Sequence, residues 1–161
     1  MEKANPEHLK FMRMAIKLSK KNVEQALGGP FGAVIVKNGK AVAKSANQVT
    51  ATKDPTAHAE ITAIRKASKK LNRFDLSDCV IYTSCEPCPM CLGAIYWSRI
   101  SKIYYANTKN DAAEVGFDDK FIYEELDLPL ERRQLPVVQL LREEAIEAFQ
   151  HWQKSELKIE Y

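Results

Sequence analysis

The sequence predicts an α/β fold, a three-layer α/β/α sandwich whose mixed sheet has five strands. Three observations carry this expectation: an opening apolar hairpin, strands that afterwards alternate with stretches of helical periodicity, and a length of 161 residues that suits one domain with a substantial core. Asn5 caps a helix whose first residue is Pro6, and Leu9, Met12, Ala15, Ile16 and Val23 recur on its core face until Gly28-Gly29 ends it. Residues 31–36 form a buried strand, Asn38-Gly39 is the two-residue turn of a tight hairpin, and residues 40–46 return antiparallel. Residues 47–55 are polar and form a loop that delivers His58 to the start of a helix through Ile61, Ile64, Ala67 and Leu71. A short strand at 79–83, a turn at 84–87, a helix at 88–97 and a strand at 102–106 follow. Residues 107–119 read as irregular, before a short helical stretch with Phe121, Ile122 and Leu126. Residues 136–141 are the last strand, and residues 143–154, with Ile146, Phe149 and Trp152 on one face, the last helix. Right-handed crossovers join the parallel strands, and such sheets bind ligands beyond the carboxyl ends of their strands.

A net charge of +3, with lysines scattered among glutamates, argues against nucleic acid as an obligatory partner. All four cysteines lie between Cys79 and Cys91, a clustering that suits a reducing cytosol better than a disulfide scaffold. Residues 1–7 lack the apolar centre of a secretory signal, and no apolar run is long enough to span a bilayer. The expectation is a soluble cytoplasmic protein, with residues 1–161 as a single domain.

Within it, Pro87-Cys88-Pro89-Met90-Cys91 places two sulfurs one helical turn apart, and His58-Ala59-Glu60 adds an imidazole and a carboxylate at another helix start. His58, Cys88 and Cys91 make three ligands for one zinc ion, which leaves a fourth position for water and brings that water's pKa towards about 7. Glu60 stands two residues from a ligand, close enough to move protons without binding the metal. A C-x-x-C alone is more often half of a structural zinc site, which needs a fourth protein ligand. Cys85 extends the pair to C-x-x-C-x-x-C, but an iron-sulfur run wants a further cysteine where this chain has Ile95. Cys85 therefore reads as a small buried residue. The two stretches together match the H-x-E and P-C-x-x-C pattern of zinc-dependent nucleobase deaminases.

Over nearly its whole length the chain resembles the bacterial guanine deaminases of the cytidine/deoxycytidylate deaminase superfamily. The resemblance rests on residues 28–36, on Asp54-Pro55-Thr56-Ala57-His58-Ala59-Glu60, on residues 82–97, on Gly116-Phe117-Asp118-Asp119 and on the closing Glu160-Tyr161. It implies a cytidine deaminase-like fold, one zinc ion per subunit, and conversion of guanine to xanthine and ammonia. It further implies that Asn47 and Asp119 hold the purine, that Asp119 shares proton transfer with Glu60, and that Tyr161 covers the pocket. A homodimer with exchanged carboxy-terminal segments is also implied, residues 155–161 forming a tail over the active site. Phe31 and Trp97 are candidates to pack on the purine rings. Each role has a plainer alternative: Asn47 ends a strand, Asp118 and Asp119 cap the next helix, Phe31 and Trp97 are core, and Tyr161 is a frayed terminus. A transfer-RNA adenosine deaminase, a guanosine or cytidine deaminase and a non-catalytic zinc module stand as rival functions.

Overall fold

The described chain, residues 5–161 of a computed structural model, opens with the cap that the sequence anticipates; residues 1–4 of the charged leader lie outside it. The Asn5 side chain accepts a hydrogen bond from the Glu7 N–H, and Pro6 begins helix α1, Pro6–Glu24. Its buried face is Phe11, Ala15, Ser19 and Asn22, whereas Leu9 and Val23, expected on that face, are exposed. Asn22 goes inside in place of Val23 because its amide donates to two backbone carbonyls, those of Gly29 and Asn47.

Strands β1, Gly32–Lys37, and β2, Lys40–Ala46, form the expected hairpin, and Asn38 and Gly39 take the positive φ of 48° and 68° that its tight turn requires. β3, Cys79–Cys85, lies antiparallel to β1, and β4, Lys102–Asn107, runs parallel to β3, giving the order β2-β1-β3-β4. Alternate residues of β1 face opposite layers. Val34 and Val36 pack with Phe11, Ala15 and Tyr82 on the α1 side. Ala33 and Ile35 pack with Ala59, Ala63 and Ala67 of α3, Ala59–Leu71, and with Ile95 of α4, Pro89–Trp97. Small residues on one face of α3 let it lie close to the sheet, so its first turn is held rigidly.

Two helices lie inside stretches read as irregular. They are α2, Val49–Thr52, and α5, Lys109–Glu114, the latter closed by a reciprocal capping box between Thr108 and Asp111. Chain contacts divide the protein into two compact units, the first ending at Lys120 and the second spanning Phe121–Tyr161. Helix α6, Lys120–Asp127, a 3-10 turn at Leu130–Arg132 and α7, Arg142–Lys154, follow the first unit's last loop.

The sheet has four strands, not the five expected. The segment read as a fifth, residues 136–141, takes no strand pairing, and Val137, Val138, Leu140 and Leu141 are all more than half exposed. An apolar run specifies a strand only when a neighbouring edge supplies its hydrogen bonds. Here Pro136 also lacks an N–H, and Leu141 has turned to a positive φ of 51°. No helix among the described residues is long and apolar enough to cross a membrane.

Helix α1 passes close over β1 at Gly32, where an added Cβ would stand 2.3 Å from the Ala15 carbonyl oxygen and 2.8 Å from Leu18 Cβ. Gly32→Ala is expected to destabilise the protein by about 1–3 kcal/mol by overpacking, read as a lower midpoint in urea denaturation.

Candidate active site

Two helix N-termini meet at one point. Asp54 accepts from both the N–H and the hydroxyl of Thr56, and this turn delivers His58 as the N-cap of α3. Cys88 is the N-cap of α4, Pro89 follows at the first helical position, and Cys91 lies in the first turn. His58 Nδ1 stands 3.6 Å from Cys88 Sγ and 3.5 Å from Cys91 Sγ, and the ligand atoms of all three lie within 4.8 Å of one another. A nitrogen at about 2.0 Å and a sulfur at about 2.3 Å from one tetrahedral zinc stand about 3.5 Å apart, so this donor set fits the ion. Neither Cys85 nor Glu60 belongs to the group, and no fourth protein ligand joins it among the described residues.

The local field favours metal binding. A hydrogen bond from the Cys91 thiol, followed by one from His58, lowers Cys88 to about 4 despite its burial. Cys91 is pushed up by the same sulfur partner and by burial, so the pair holds one proton in common. His58 is raised by its hydrogen bond with Cys88, against the opposing effect of burial. The positive ends of two helix dipoles add to the preference for thiolate.

Glu60, 4% exposed, presents its carboxyl group to this cluster. Oε2 lies 3.5 Å from Cys91 Sγ, and Oε1 accepts a hydrogen bond from Thr83 Oγ1 at 3.0 Å. Burial raises its pKa. Asp119 joins from the loop after α5: its carboxylate feels the Cys88 charge, and it acts in turn on His58. Burial first, then Cys88, raises its pKa, and its Oδ1 is buried with no hydrogen-bond partner among the described residues.

Asn47, 7% exposed, follows β2 and sits beside the His58 turn, because Gln48 N–H bonds the Ala57 carbonyl at 2.9 Å. Its own N–H donates to the Phe31 carbonyl, its carbonyl accepts from Asn22, and its Oδ1 accepts from Val49 N–H. Phe31 is half-buried and meets Phe117 edge-on, with ring centres 4.9 Å apart. Trp97 lies nine residues beyond Cys88, about 13 Å along the helix, and is 69% exposed, so its own chain does not carry it to the cluster. Tyr161, at the end of the second unit, is equally exposed. Cys85 is a buried thiol 3.6 Å from the Thr108 carbonyl, pushed up to about 11 by burial, as its small-residue reading requires. Sequence reasoning missed Asn22 and Thr83, whose partners lie 25 and 23 residues away, and did not single out Phe117 within its block. A buried asparagine at a helix end is signal enough only when its acceptors are known.

A family model described as the cytidine and deoxycytidylate deaminase zinc-binding region matches residues 5–107. The chain is 53% identical over 154 residues to the guanine deaminase of Bacillus subtilis, covering 96% of this chain and 99% of that one. The crystal structure of a Bacillus subtilis guanine deaminase superposes with a TM-score of 0.93 at 53% identity, over 96% of this chain and 98% of the other. A guanine deaminase from Nitrosomonas europaea gives a TM-score of 0.66 at 35% identity, over 72% of this chain and 66% of that one. A tRNA-specific adenosine deaminase of Aquifex aeolicus is 42% identical over 96 residues, 60% of this chain and 63% of its own.

Zinc and protons compete for the same atoms, and the proton on His58 is held more tightly than on an ordinary imidazole. Zinc affinity is therefore expected to fall as the pH drops through the histidine range, by at least about tenfold between about pH 7.5 and about pH 5.5. Chelator competition with metal quantified by mass spectrometry checks this; an affinity independent of pH would remove His58 from the ligand set.

Proposed function

The chain belongs to the cytidine and deoxycytidylate deaminase zinc-binding family, and we propose that its reaction there is the hydrolysis of guanine to xanthine and ammonia. It is a homologue of guanine deaminases and a zinc-dependent hydrolase. The observation that carries the substrate reading is the likeness to the Bacillus subtilis guanine deaminase, 53% identical over 96% of this chain and so through both units, whereas the tRNA-specific adenosine deaminase of Aquifex aeolicus matches 60% of it.

His58, Cys88 and Cys91 hold the zinc, which when bound makes water acidic enough to act as a nucleophile near neutral pH. Glu60 takes a proton from the attacking water, delivers it to a ring nitrogen, and protonates the departing amine; one buried carboxyl group with a raised pKa serves both directions. The unpartnered Oδ1 of Asp119 accepts an N–H of the purine, and Asp119 shares proton transfer with Glu60. The Asn47 amide reads the purine edge, and Phe31 packs on the rings. Phe117, set edge-on to Phe31, fixes that ring's angle.

The functional molecule is a cytoplasmic homodimer in which the carboxy-terminal segment is exchanged and Trp97 and Tyr161 help enclose the purine. Two features support this. β4 is an edge strand, and residues 136–140 are left without a strand partner. The second unit also exposes Val138, Leu140, Phe149 and Ile159, each by more than two thirds, which is more apolar surface than a segment of its size keeps in water.

Glu60→Gln is expected to keep one zinc per chain and the wild-type circular dichroism spectrum while lowering guanine turnover at least about 10³-fold. Ammonia release assayed across guanine, guanosine, adenine, cytosine, cytidine and an anticodon stem-loop reads both the loss and the substrate. Wild-type release from a base other than guanine would replace the substrate assignment.

Light scattering is expected to give twice the chain mass. Removing residues 158–161 should lower kcat/KM for guanine about tenfold or more with zinc content unchanged, whereas unaltered kinetics would refute a role for the tail.

A further inference from the structure

Thr83 lies inside β3, 1% exposed, and turns its hydroxyl towards the carboxyl group of Glu60. Oγ1 stands 3.0 Å from Glu60 Oε1 and 2.9 Å from the Cys85 carbonyl oxygen. A hydroxyl has one proton to give, and an ionised carboxylate is the stronger of those two acceptors. The last torsion of a glutamate side chain is soft, so without a tether its two oxygens exchange places readily. Here they differ: Oε1 is held by Thr83 and Oε2 faces Cys91 Sγ at 3.5 Å. The hydroxyl is itself well placed to hold, because a β-branched side chain is stiff at its first torsion. Its strand is paired on both sides, Thr83 lying opposite Ala33 of β1 and Tyr105 of β4.

We propose that Thr83 is a positioning residue for Glu60: its hydroxyl ties one carboxyl oxygen so that the other alone faces the His58, Cys88 and Cys91 cluster. This rests on the deaminase reading of the site. A purely structural Thr83 would do no more than satisfy the buried Cys85 carbonyl, and its loss would then lower stability without changing the turnover of folded protein. The two roles separate in Thr83→Val, which keeps the shape and removes the hydroxyl.

The zinc-loaded full chain carrying Thr83→Val is expected to retain one zinc per chain and a KM for guanine within about twofold of wild type, while kcat falls about tenfold or more. Thr83→Ser, which restores the hydroxyl, should recover most of that loss. In a crystal structure of the zinc-loaded valine variant, the Glu60 carboxyl group should be rotated away from its wild-type orientation. Should the valine variant not fold, Thr83→Ala removes the hydroxyl without added bulk and is held to the same expectations. An unchanged kcat per zinc-loaded chain, or a Glu60 carboxyl in the wild-type orientation, overturns the proposal. A wild-type protein that releases no ammonia from guanine would instead remove the deaminase reading, and the orientation of Glu60 in the two zinc-loaded structures would then decide the role of Thr83 alone.

Discussion

Everything in this molecule depends on two helices beginning within a few ångströms of one another. A histidine and two cysteines are far apart in the chain, and bringing their donor atoms to 3.5–3.6 Å costs conformational entropy and desolvation that no contact among the three returns. The sheet meets that cost. Ala59, Ala63 and Ala67 press α3 against β1, Ile95 anchors α4 in the same layer, and β3 ends at Cys85, three residues before the first sulfur. The N-caps at His58 and Cys88 are then set by packing elsewhere, so the fold itself directs the three donor atoms to one point. Preorganisation of this kind gives a metal site both affinity and a defined open side.

The same arrangement explains why a carboxylate so close to the ligands is not one of them. Glu60 lies on the buried face of α3, its carboxyl group drawn to Thr83 on one side and to Cys91 on the other. A group bound to a metal has surrendered its basicity. One held beside the ligands, buried and with a raised pKa, keeps it. That distinction is what separates a zinc centre able to do proton chemistry from a structural one, and it follows from helix phase: His58 is the cap, and Glu60 has already turned inward.

Much of this was legible in the sequence because it is local. His58 with Glu60, and Cys88 with Cys91, are fixed relative to each other by a single turn of helix, so spacing alone states their geometry. The hairpin was legible for the same reason, Asn38-Gly39 carrying its own turn chemistry. The α5 helix was not, because its polar composition hides a stabilisation that resides in one reciprocal cap at Thr108 and Asp111. The face of α1 was misread at Leu9 and Val23 because periodicity counts apolar residues, whereas Asn22 is buried for its hydrogen bonds to Gly29 and Asn47. Asn47 and Asp119 came from a resemblance and not from periodicity, and the fifth strand failed because pairing is a property of two segments, of which the sequence shows one.

In the proposed reading, Asp119 is where the site distinguishes purines. A buried carboxylate oxygen left without a donor costs on the order of 1–3 kcal/mol, more for a charged group, and Asp119 Oδ1 finds no donor among the described residues. A purine that presents a donor there recovers the penalty on binding; one that presents a ring nitrogen or carbonyl adds repulsion to it. Sites built on an unsatisfied polar group reject the wrong partner by orders of magnitude, far beyond what one apolar contact on Phe31 achieves. In the proposed reading, the aromatic pair favours a flat ring and the Asp119 oxygen discriminates among flat rings.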